Sequence, residues 1–300
     1  MTGPVETRMA RWSGLSAIRA GTGTVRCLAP AEEGLLADMV SSCRADGISL
    51  MAIGRGSNLI GSDKSLPWLA VLDTSRLRSF ALSGDGLARV QCGMPLPAFI
   101  EAAAGEGYGG LHRLAGIPGS IGGALAMNAG ANGASIADFV VEIDGIDLQS
   151  GGPWHWREGD GGWAYRKSPV PGNVCVTSAL IKLEKTDAEK ELEAIGEEKR
   201  RRAAVTPRGR SCGSVFMNPP EAPAGRLLEE AGCKGMAYGA FEVSMQHANW
   251  IVNPGGLEGR ACDCLELVAR MQARVQEKFG IALKTEWRVV DREAEFKKRL

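Results

Sequence analysis

The stretch GIPGSIGGALAMNAGANG, residues 116–133, contains six glycines in eighteen residues, together with small apolar side chains and two asparagines. Glycine loses more conformational entropy on folding than other residues and is a poor helix and strand former. Such a run therefore indicates that a ligand or another backbone segment comes very close. Backbone N–H groups left uncovered by side chains are suited to binding the oxygens of a phosphate.

The composition narrows the possible classes of function. The chain has 300 residues, enough for more than one packed unit, and its 35 basic residues equal its 35 acidic residues. This balance argues against the broad basic face of a nucleic-acid-binding protein, although a local cluster can still bind a small anion.

The cysteine and hydropathy patterns predict a soluble cytoplasmic protein without a membrane span. The eight cysteines form no C-x-x-C pair, which favours reduced thiols over a disulfide framework. Cys262 and Cys264 are the closest pair, but on a helix they point about 200° apart, so packing is favoured over a shared metal. No run approaches the roughly 18 apolar residues of a span, and the amino terminus lacks an apolar signal core.

The first eighty residues predict a small α/β subdomain. Residues 32–47 place apolar side chains on one helical stripe that ends at Gly47, and the apolar runs at 48–54 and 68–73 predict buried strands. From residue 81 to about 204, short apolar runs separated by glycine predict a second α+β subdomain with a helix at 96–107.

A charged helix follows, with a predicted capping box formed by Thr186 and Glu189. Pro207 ends this helix, and the prediction is a domain of residues 1–204 followed by an α+β domain of residues 205–300. The carboxy-terminal part is predicted to contain a helix at 224–232, a strand at 248–253, an amphipathic helix ending before Gly280 and a strand at 281–290.

A first glycine cluster, IGRGSNLI at residues 53–60, follows a predicted strand and has part of a Rossmann fingerprint. Leu59 stands at the third glycine position, no helix clearly opens there, and no acidic residue ends a strand about 20 residues on. Arg55, Ser57 and Asn58 instead predict a loop that offers N–H groups and short donors to phosphate oxygens.

The glycines of the second cluster, residues 116–133, are predicted to turn the chain tightly and present its amides to a pyrophosphate. Asn128 and Asn132 either contact a ring or ribose or adopt left-handed turns themselves. For one cluster alone, a turn-rich connection without a ligand is an equal alternative. Two clusters about one subdomain apart favour a cofactor held between two α+β layers.

Five motifs in this order resemble a known family: GRGSNL, GIPGSIGGALAMNAGANG, YRKS, SCGSVFMNP and HANWIVN. They are similar to the motifs of the UDP-N-acetylenolpyruvoylglucosamine reductases of bacterial cell-wall synthesis, in the shorter type II form. The resemblance implies a vanillyl-alcohol-oxidase-type FAD-binding domain of two α+β subdomains, about 1–80 and 81–204, and a substrate-binding domain at 205–300.

The resemblance also implies the cofactors and the reaction. NADPH reduces bound FAD, and the enolpyruvyl ether of UDP-N-acetylglucosamine enolpyruvate is then reduced to UDP-N-acetylmuramate. No metal or nucleic acid is implied, and the oligomeric state stays open, with a monomer favoured. The implied FAD-binding residues are Gly54, Arg55, Gly56, Ser57, Asn58, Leu59, Gly116, Ile117, Pro118, Gly119, Ser120, Gly122, Gly123, Asn128 and Gly130.

Three residues match the family's catalytic positions. Ser214 is the implied general acid that protonates the carbon next to the substrate carboxylate, while Arg166 and Glu286 stabilise that carboxylate. Taken singly, each residue has a simpler interpretation. Ser214 would be a turn serine, Arg166 a surface cation, and Glu286 a solvated charge between its neighbours Lys284 and Arg288. Only the joint placement of the three favours catalysis.

The implied substrate-binding residues have weaker support. Arg208, Arg210 and the helix beginning near Ala224 could bind the uridine diphosphate. His247 is equally suited to a packed, hydrogen-bonded position. The implied substrate contacts are Tyr165, Arg166, Asn218, Gln246 and His247, with Asn249 in the same motif.

Some positions depart from the family's pattern. Met217 stands where the family usually has lysine, and His112 and Arg113 replace an acidic and an apolar residue. Two alternatives therefore remain open: another FAD oxidoreductase of the same fold, and a flavin-binding homologue with impaired catalysis.

Overall fold

The computed structural model describes residues 5–291. Its first elements are β1 Val5–Arg11, α1 Trp12–Leu15, β2 Thr24–Pro30, α2 Leu36–Ala45, β3 Ser49–Ile53, β4 Leu59–Ile60, β5 Leu69–Asp73, β6 Phe80–Leu82 and β7 Leu87–Gln91. The next are α3 Leu96–Gly105, β8 Tyr108–Gly109, α4 Ile121–Ala126, β9 Gly130–Ala131, β10 Ala134–Ser135, β11 Val140–Asp147, β12 Pro153–Arg157, β13 Val174–Lys182 and β14 Glu184–Lys185. The last are α5 Ala188–Val205, β15 Arg210–Ser214, α6 Ala224–Glu230, β16 Ala237–Tyr238, β17 Phe241–Val243, β18 Trp250–Asn253, α7 Ala261–Phe279 and β19 Arg288–Val289.

The described chain packs into two units, each assembled from separate segments. Unit 1 comprises residues 5–8, 26–55 and 67–202, and unit 2 comprises residues 9–25, 56–66 and 203–291. The sequence assigned residues 9–25 and 56–66 to the first domain. They group with unit 2 because Ile18, Ala20 and Ile60 are buried in the hydrophobic core of that unit. The assignment of an FAD domain and a substrate domain to these parts of the chain stays a prediction.

Unit 1 contains two larger sheets besides the two-stranded pairs β9-β10 and β8-β14. The first has the strand order β1-β2-β5-β3, with β2, β5 and β3 parallel, and the second is the antiparallel sheet β12-β11-β13-β7-β6. Helix α2 buries Leu36, Met39, Val40 and Cys43, and Gly47 has a left-handed φ of 66° just after it. The α/β and α+β patterns predicted from the sequence are confirmed.

Helix α5 begins one residue later than the predicted capping box requires. The N–H of Thr186 bonds to the carbonyl of Gly107, so Thr186 continues the pairing of β14 with β8. The carboxylate of Asp187 instead accepts the N–H of Lys190, which is the N-cap interaction. The predicted cap at Thr186 is therefore wrong, because a strand pairing engages that residue.

Unit 2 is built on the antiparallel sheet β15-β18-β17-β16 and on helix α7. Cys264 is buried on α7 whereas Cys262 is exposed, and Gly280 ends the helix with φ 69°. The predicted placement of the two cysteines on different faces of the helix is confirmed, although only Cys264 is packed in the core. No helix within residues 5–291 has the length and apolarity that crossing a membrane requires.

The predicted strand at 281–290 forms only in part. Its buried and exposed positions alternate as expected, with Leu283 and Trp287 buried and Ala282 and Lys284 exposed. Ladder pairing, however, is confined to β19, which is parallel to β4. The preceding residues make a single bridge, between Phe216 and Thr285, so the extended segment is too briefly paired to form one long strand.

Candidate functional site

The second glycine segment opens α4 within unit 1. The hydroxyl of Ser120 accepts the N–H of Gly123 at 3.3 Å, as an N-cap does. The N–H of Ile121 bonds to the carbonyl of Met94, and that of Gly122 to the carbonyl of Cys92. The amides of Gly122 and Gly123, predicted to meet a pyrophosphate, are thus engaged by the protein itself.

In the turn that precedes α4, by contrast, several backbone amides are not hydrogen-bonded within the described protein. Gly116 and Gly119 adopt φ angles of 80° and 134°, which side-chain-bearing residues rarely adopt. Among residues 5–291, the N–H groups of Gly116, Gly119 and Ser120 have no hydrogen-bond partner. Three uncovered amides in five residues form a cradle of donors for an anion.

Asn128 lies at the end of the same segment and is 6% exposed. Its φ is 41°, and its Nδ2 donates to the carbonyl of Ala164 at 2.8 Å. Its Oδ1 is buried and has no partner among the described residues. An orphaned buried acceptor costs free energy unless a ligand donates to it.

Asn132 also adopts the predicted left-handed conformation, with φ 55°. Its amide bonds to Glu198 and Arg201 of helix α5. Asn132 therefore ties the segment to a helix of unit 1, whereas Asn128 keeps an acceptor available.

The two glycine clusters meet inside unit 1 at Gly54. A Cβ at this position would lie 2.4 Å from the hydroxyl oxygen of Ser120 and 3.6 Å from its Cβ. Gly54 is therefore required by the close approach of the chain after β3 to the N-cap of α4. Arg55, which follows, is exposed.

The remainder of the first cluster belongs to unit 2, where its close contacts are with the protein. A Cβ on Gly56 would lie 1.8 Å from the carbonyl oxygen of Leu15, and the carbonyl of Gly56 accepts the N–H of Ala17. Leu59 is buried in β4, and its carbonyl accepts the hydroxyl of Ser16 at 2.6 Å. At Gly56 and Leu59, internal packing accounts for the sequence pattern.

Arg166 is held in a left-handed backbone conformation, with φ 55°. One guanidinium nitrogen donates to the carbonyl of Gly130 at 3.1 Å, and the guanidinium lies 5.3 Å from the ring centre of Tyr165. Tyr165 is 59% exposed. Arg166 bonds to Gly130, and Asn128 bonds to Ala164, two residues before Arg166, so these predicted residues lie together in unit 1.

Arg202, in the last turns of α5, lies beside the 116–120 turn, and the sequence did not single it out. A Cβ on Gly116 would lie 3.1 Å from its Cδ and 3.4 Å from its Nε. The Nε is buried and has no partner among the described residues. Burial lowers the pKa of this guanidinium, the charges of Arg201 and Arg166 lower it further, and Glu198 opposes them.

Ser214 ends β15, directly after an irregularity in the pairing with β18. Ser211 pairs with Val252 and Ser214 with Trp250, so one extra residue is accommodated, and Gly213 adopts φ 72°. A bulge of this kind redirects the side chains beside it. Within residues 5–291 the Ser214 hydroxyl forms no hydrogen bond.

Glu286 is brought beside this strand in unit 2. Its N–H bonds to the carbonyl of Val215 at 2.8 Å, and its own carbonyl accepts the side-chain amide of Asn58 at 3.1 Å. The backbone at Ser214 and Glu286 is therefore joined through Val215. Two of the three predicted catalytic residues therefore lie on neighbouring segments of unit 2, while Arg166 belongs to unit 1, and their catalytic roles stay predictions.

The side chains of the predicted substrate contacts in unit 2 form hydrogen bonds with the protein backbone. The Oδ1 of Asn218 accepts the N–H of Ala224 at 2.9 Å, so the first amide of α6 is already bonded. The Nε2 of Gln246 donates to the carbonyl of Ala204. Asn249 bonds through its side-chain amide to both the N–H and the carbonyl of Phe216, which fixes the residues after Ser214.

His247 is half-buried against α6. Its Nδ1 accepts the N–H of Asn249 at 3.2 Å, and a Cβ on Gly225 would lie 2.8 Å from its ring. Burial lowers the pKa of His247, and the charge of Lys234 lowers it further. The geometry agrees with the packed alternative, and a substrate contact stays a prediction.

Met217, which stands in place of the family's lysine, faces a lysine across the strand pairing. The N–H of Met217 bonds to the carbonyl of Lys284 at 3.0 Å. The bridge between Phe216 and Thr285 puts these two residues in opposing positions. Side chains of an opposing pair project to the same face of the pairing.

Comparison with known proteins first defines the class. A family model described as an FAD binding domain matches residues 26–153. A crystal structure of cholesterol oxidase from B. sterolicum has a TM-score of 0.50 and 13% identity, covering 62% of this chain and 38% of that chain, and shows the fold alone. The fold and the amide cradle thus define an FAD-binding flavoprotein with a mixed α+β architecture.

The remaining matches identify the family. The model of the UDP-N-acetylenolpyruvoylglucosamine reductase carboxy-terminal domain matches residues 205–290. Reductases of that name from Heliobacterium modesticaldum and Synechococcus sp. are 38% and 36% identical, covering 87% and 82% of this chain and 83% and 79% of theirs. The crystal structure of the Thermus caldophilus reductase has a TM-score of 0.79 and 30% identity, covering 95% of this chain and 99% of that one.

The chain belongs to the UDP-N-acetylenolpyruvoylglucosamine reductase family. It is an FAD-dependent reductase, and the fold class, family and cofactor predicted from the motifs are confirmed.

Proposed function

We propose that this protein uses NADPH to reduce the enolpyruvyl ether of UDP-N-acetylglucosamine enolpyruvate to UDP-N-acetylmuramate, a peptidoglycan precursor, in the cytoplasm. The observation that carries this proposal is the pairing around Val215, which joins the backbone of Ser214 to that of Glu286 in unit 2. A hydroxyl and a carboxyl are the proton donor and polarising group that such a reduction needs.

The residues of unit 1 fit an FAD. The N–H groups of Gly116, Gly119 and Ser120 can bind pyrophosphate oxygens, and the orphaned Oδ1 of Asn128 can accept a donor of the ring or ribose. When bound, FAD supplies the hydride transfer from NADPH to the substrate.

The catalytic residues supply charge and a proton in this proposal. Hydride addition places negative charge on the carbon next to the substrate carboxylate and on the carboxylate itself. The guanidinium of Arg166 and the carboxyl of Glu286 stabilise that charge. The Ser214 hydroxyl, which forms no hydrogen bond with a described residue, then protonates the carbon.

Lys284 can supply the positive charge that is missing because Met217 replaces the family's lysine. A substrate with a diphosphate and a carboxylate needs a cation near its binding site. Because Lys284 opposes Met217, we assign to it the charge that the family's lysine supplies. With Lys284 in this role, the methionine at position 217 gives no reason to expect impaired catalysis.

The test separates the two half-reactions. Ser214→Ala should leave bleaching of the flavin absorbance by NADPH unchanged, because no proton from residue 214 is needed there. The rate at which enolpyruvyl sugar nucleotide reoxidises the flavin should fall by roughly 10²–10⁴-fold, the usual contribution of a general acid. Ser211→Ala, on the same strand, is the matched control and should keep both rates.

Unchanged reoxidation in Ser214→Ala would contradict the role assigned to Ser214. A wild-type flavin that NADPH does not bleach would contradict the proposed activity.

A further inference from the structure

Arg202 carries a charge for which the described protein offers no counterion. Among residues 5–291 its guanidinium forms no ion pair and no hydrogen bond, and its Nε is fully shielded from solvent. Desolvating a cation without pairing it is unfavourable. Because Nε is shielded while the residue as a whole is only half-buried, the position favours a compensating anion.

The carboxylate whose charge acts on Arg202, that of Glu198, is already hydrogen-bonded to other residues. Glu198 lies one turn earlier on α5, and both of its oxygens accept from Arg201, at 2.7 Å and 3.0 Å. The side chain of Asn132 also bonds to this carboxylate. Glu198 attracts Arg202 only at longer range.

The surroundings of Arg202 add donors and positive charge. Its side chain lies against Gly116, where a Cβ would be 3.1 Å from Cδ, and so next to the uncovered amides of the 116–120 turn. Arg166 is close enough to repel its charge. The Arg202 guanidinium beside three uncovered N–H groups, with the charge of Arg166 acting on it, makes a site that suits an anion with several oxygens.

We propose that the guanidinium of Arg202 binds an anionic group of the flavin nucleotide held by the 116–120 turn. Two groups of that ligand share the required chemistry: the pyrophosphate, which is charged in both redox states, and the N1–C2 carbonyl region of the ring, which gains negative charge on reduction. Arg202 is then a cofactor-binding residue that acts beside the backbone cradle. The inference rests on the FAD-dependent function.

The experiment compares the full-length wild-type holoprotein with Arg202→Gln and Arg202→Lys. Arg200→Ala is the matched control, since Arg200 is exposed on the same helix. The dissociation constant of oxidised FAD is obtained from recovery of free-flavin fluorescence on dilution, and the midpoint potential from equilibration with redox dyes. Circular dichroism of each variant establishes that it is folded.

If Arg202 binds the pyrophosphate, Arg202→Gln should weaken binding of oxidised FAD by about tenfold to a hundredfold, the effect of losing a charge-assisted hydrogen bond, with the potential unchanged. If it binds the ring, the potential should become more negative by about 30 mV for each tenfold loss of affinity confined to reduced FAD. Arg202→Lys should restore part of either effect. Wild-type values for both quantities in Arg202→Gln would overturn the inference, whereas failure of the wild-type protein to bind FAD would instead contradict the proposed function.

Discussion

The two glycine clusters look alike in sequence, yet they use glycine differently. At Gly56 in the first cluster a side chain is excluded by the protein itself, because its Cβ would lie 1.8 Å from the carbonyl oxygen of Leu15. At Gly116 and Gly119 in the second, unusual φ angles leave amides that the described protein does not use. Glycine enrichment therefore indicates that another group comes close to the backbone. Whether that group is a ligand or the chain itself is decided by the hydrogen-bond partners of the amides.

The largest expected effect contrasts one glycine from each cluster. Gly56→Ala should lower the free energy of unfolding by about 3 kcal/mol or more, because a Cβ would overlap backbone and φ is 64°. Gly119→Ala should cost about 1–3 kcal/mol of strain and also raise the dissociation constant of FAD at least tenfold, since φ of 134° must change and turn the adjacent amides. Urea denaturation and FAD titration measure the two quantities. Equal FAD affinity in Gly119→Ala and wild type would break the distinction between the clusters.

The next effect concerns the contact between the clusters in unit 1. Gly54→Ala should destabilise the protein by about 1–3 kcal/mol, because its Cβ would lie 2.4 Å from the Ser120 hydroxyl oxygen. Ser120→Ala should cost about 1 kcal/mol through loss of the α4 cap. In the double variant the Cβ would instead lie 3.6 Å from that of residue 120, an ordinary contact.

The double variant should thus be more stable than the sum of the single effects predicts, by about 1 kcal/mol. Urea denaturation of the wild type, the two single variants and the double variant gives the four free energies of unfolding of this double-mutant cycle. Strict additivity would show that Gly54 and Ser120 do not meet.

The smallest expected effect separates the two asparagines of the second cluster. Asn128→Gly and Asn132→Gly both keep the left-handed φ. Asn128→Gly should weaken FAD binding by about fivefold to tenfold, because the buried Oδ1 is proposed to accept a ligand hydrogen bond. Asn132→Gly should stay within about twofold, since its amide bonds to Glu198 and Arg201. FAD titration decides, and the reverse order would contradict the proposed role of Asn128.

Local patterns predicted the regular elements well, because periodic burial and terminal residues are visible in sequence. The stripe of α7 and its end at Gly280 are examples. The cap of α5 was misplaced by one residue, since the pairing of Thr186 with Gly107 depends on a segment about eighty residues away. Long-range contacts of this kind leave no periodic signal.

The motifs predicted candidate site residues, but they did not predict the electrostatic environment of Arg202. Arg200, Arg201 and Arg202 are identical in type, and the sequence presents them as one charged helical face. Among residues 5–291, helical phase and the neighbouring Gly116 turn make Arg202 the member of the three whose guanidinium has a buried Nε without a partner. The proximity of Glu286 to Ser214 likewise depends on a single bridge between distant segments.

The interleaved construction of unit 2 bears on how the chain matures during synthesis. Asp63 accepts the N–H groups of Ala261 and Cys262, and also that of Thr22. The carboxylate of Asp63 thus has no Ala261 or Cys262 to bond to until about two hundred more residues have been synthesised. Nascent chains with such unpaired polar groups are prone to misassembly, so unit 2 can become native only after residues 261 and 262 have been synthesised.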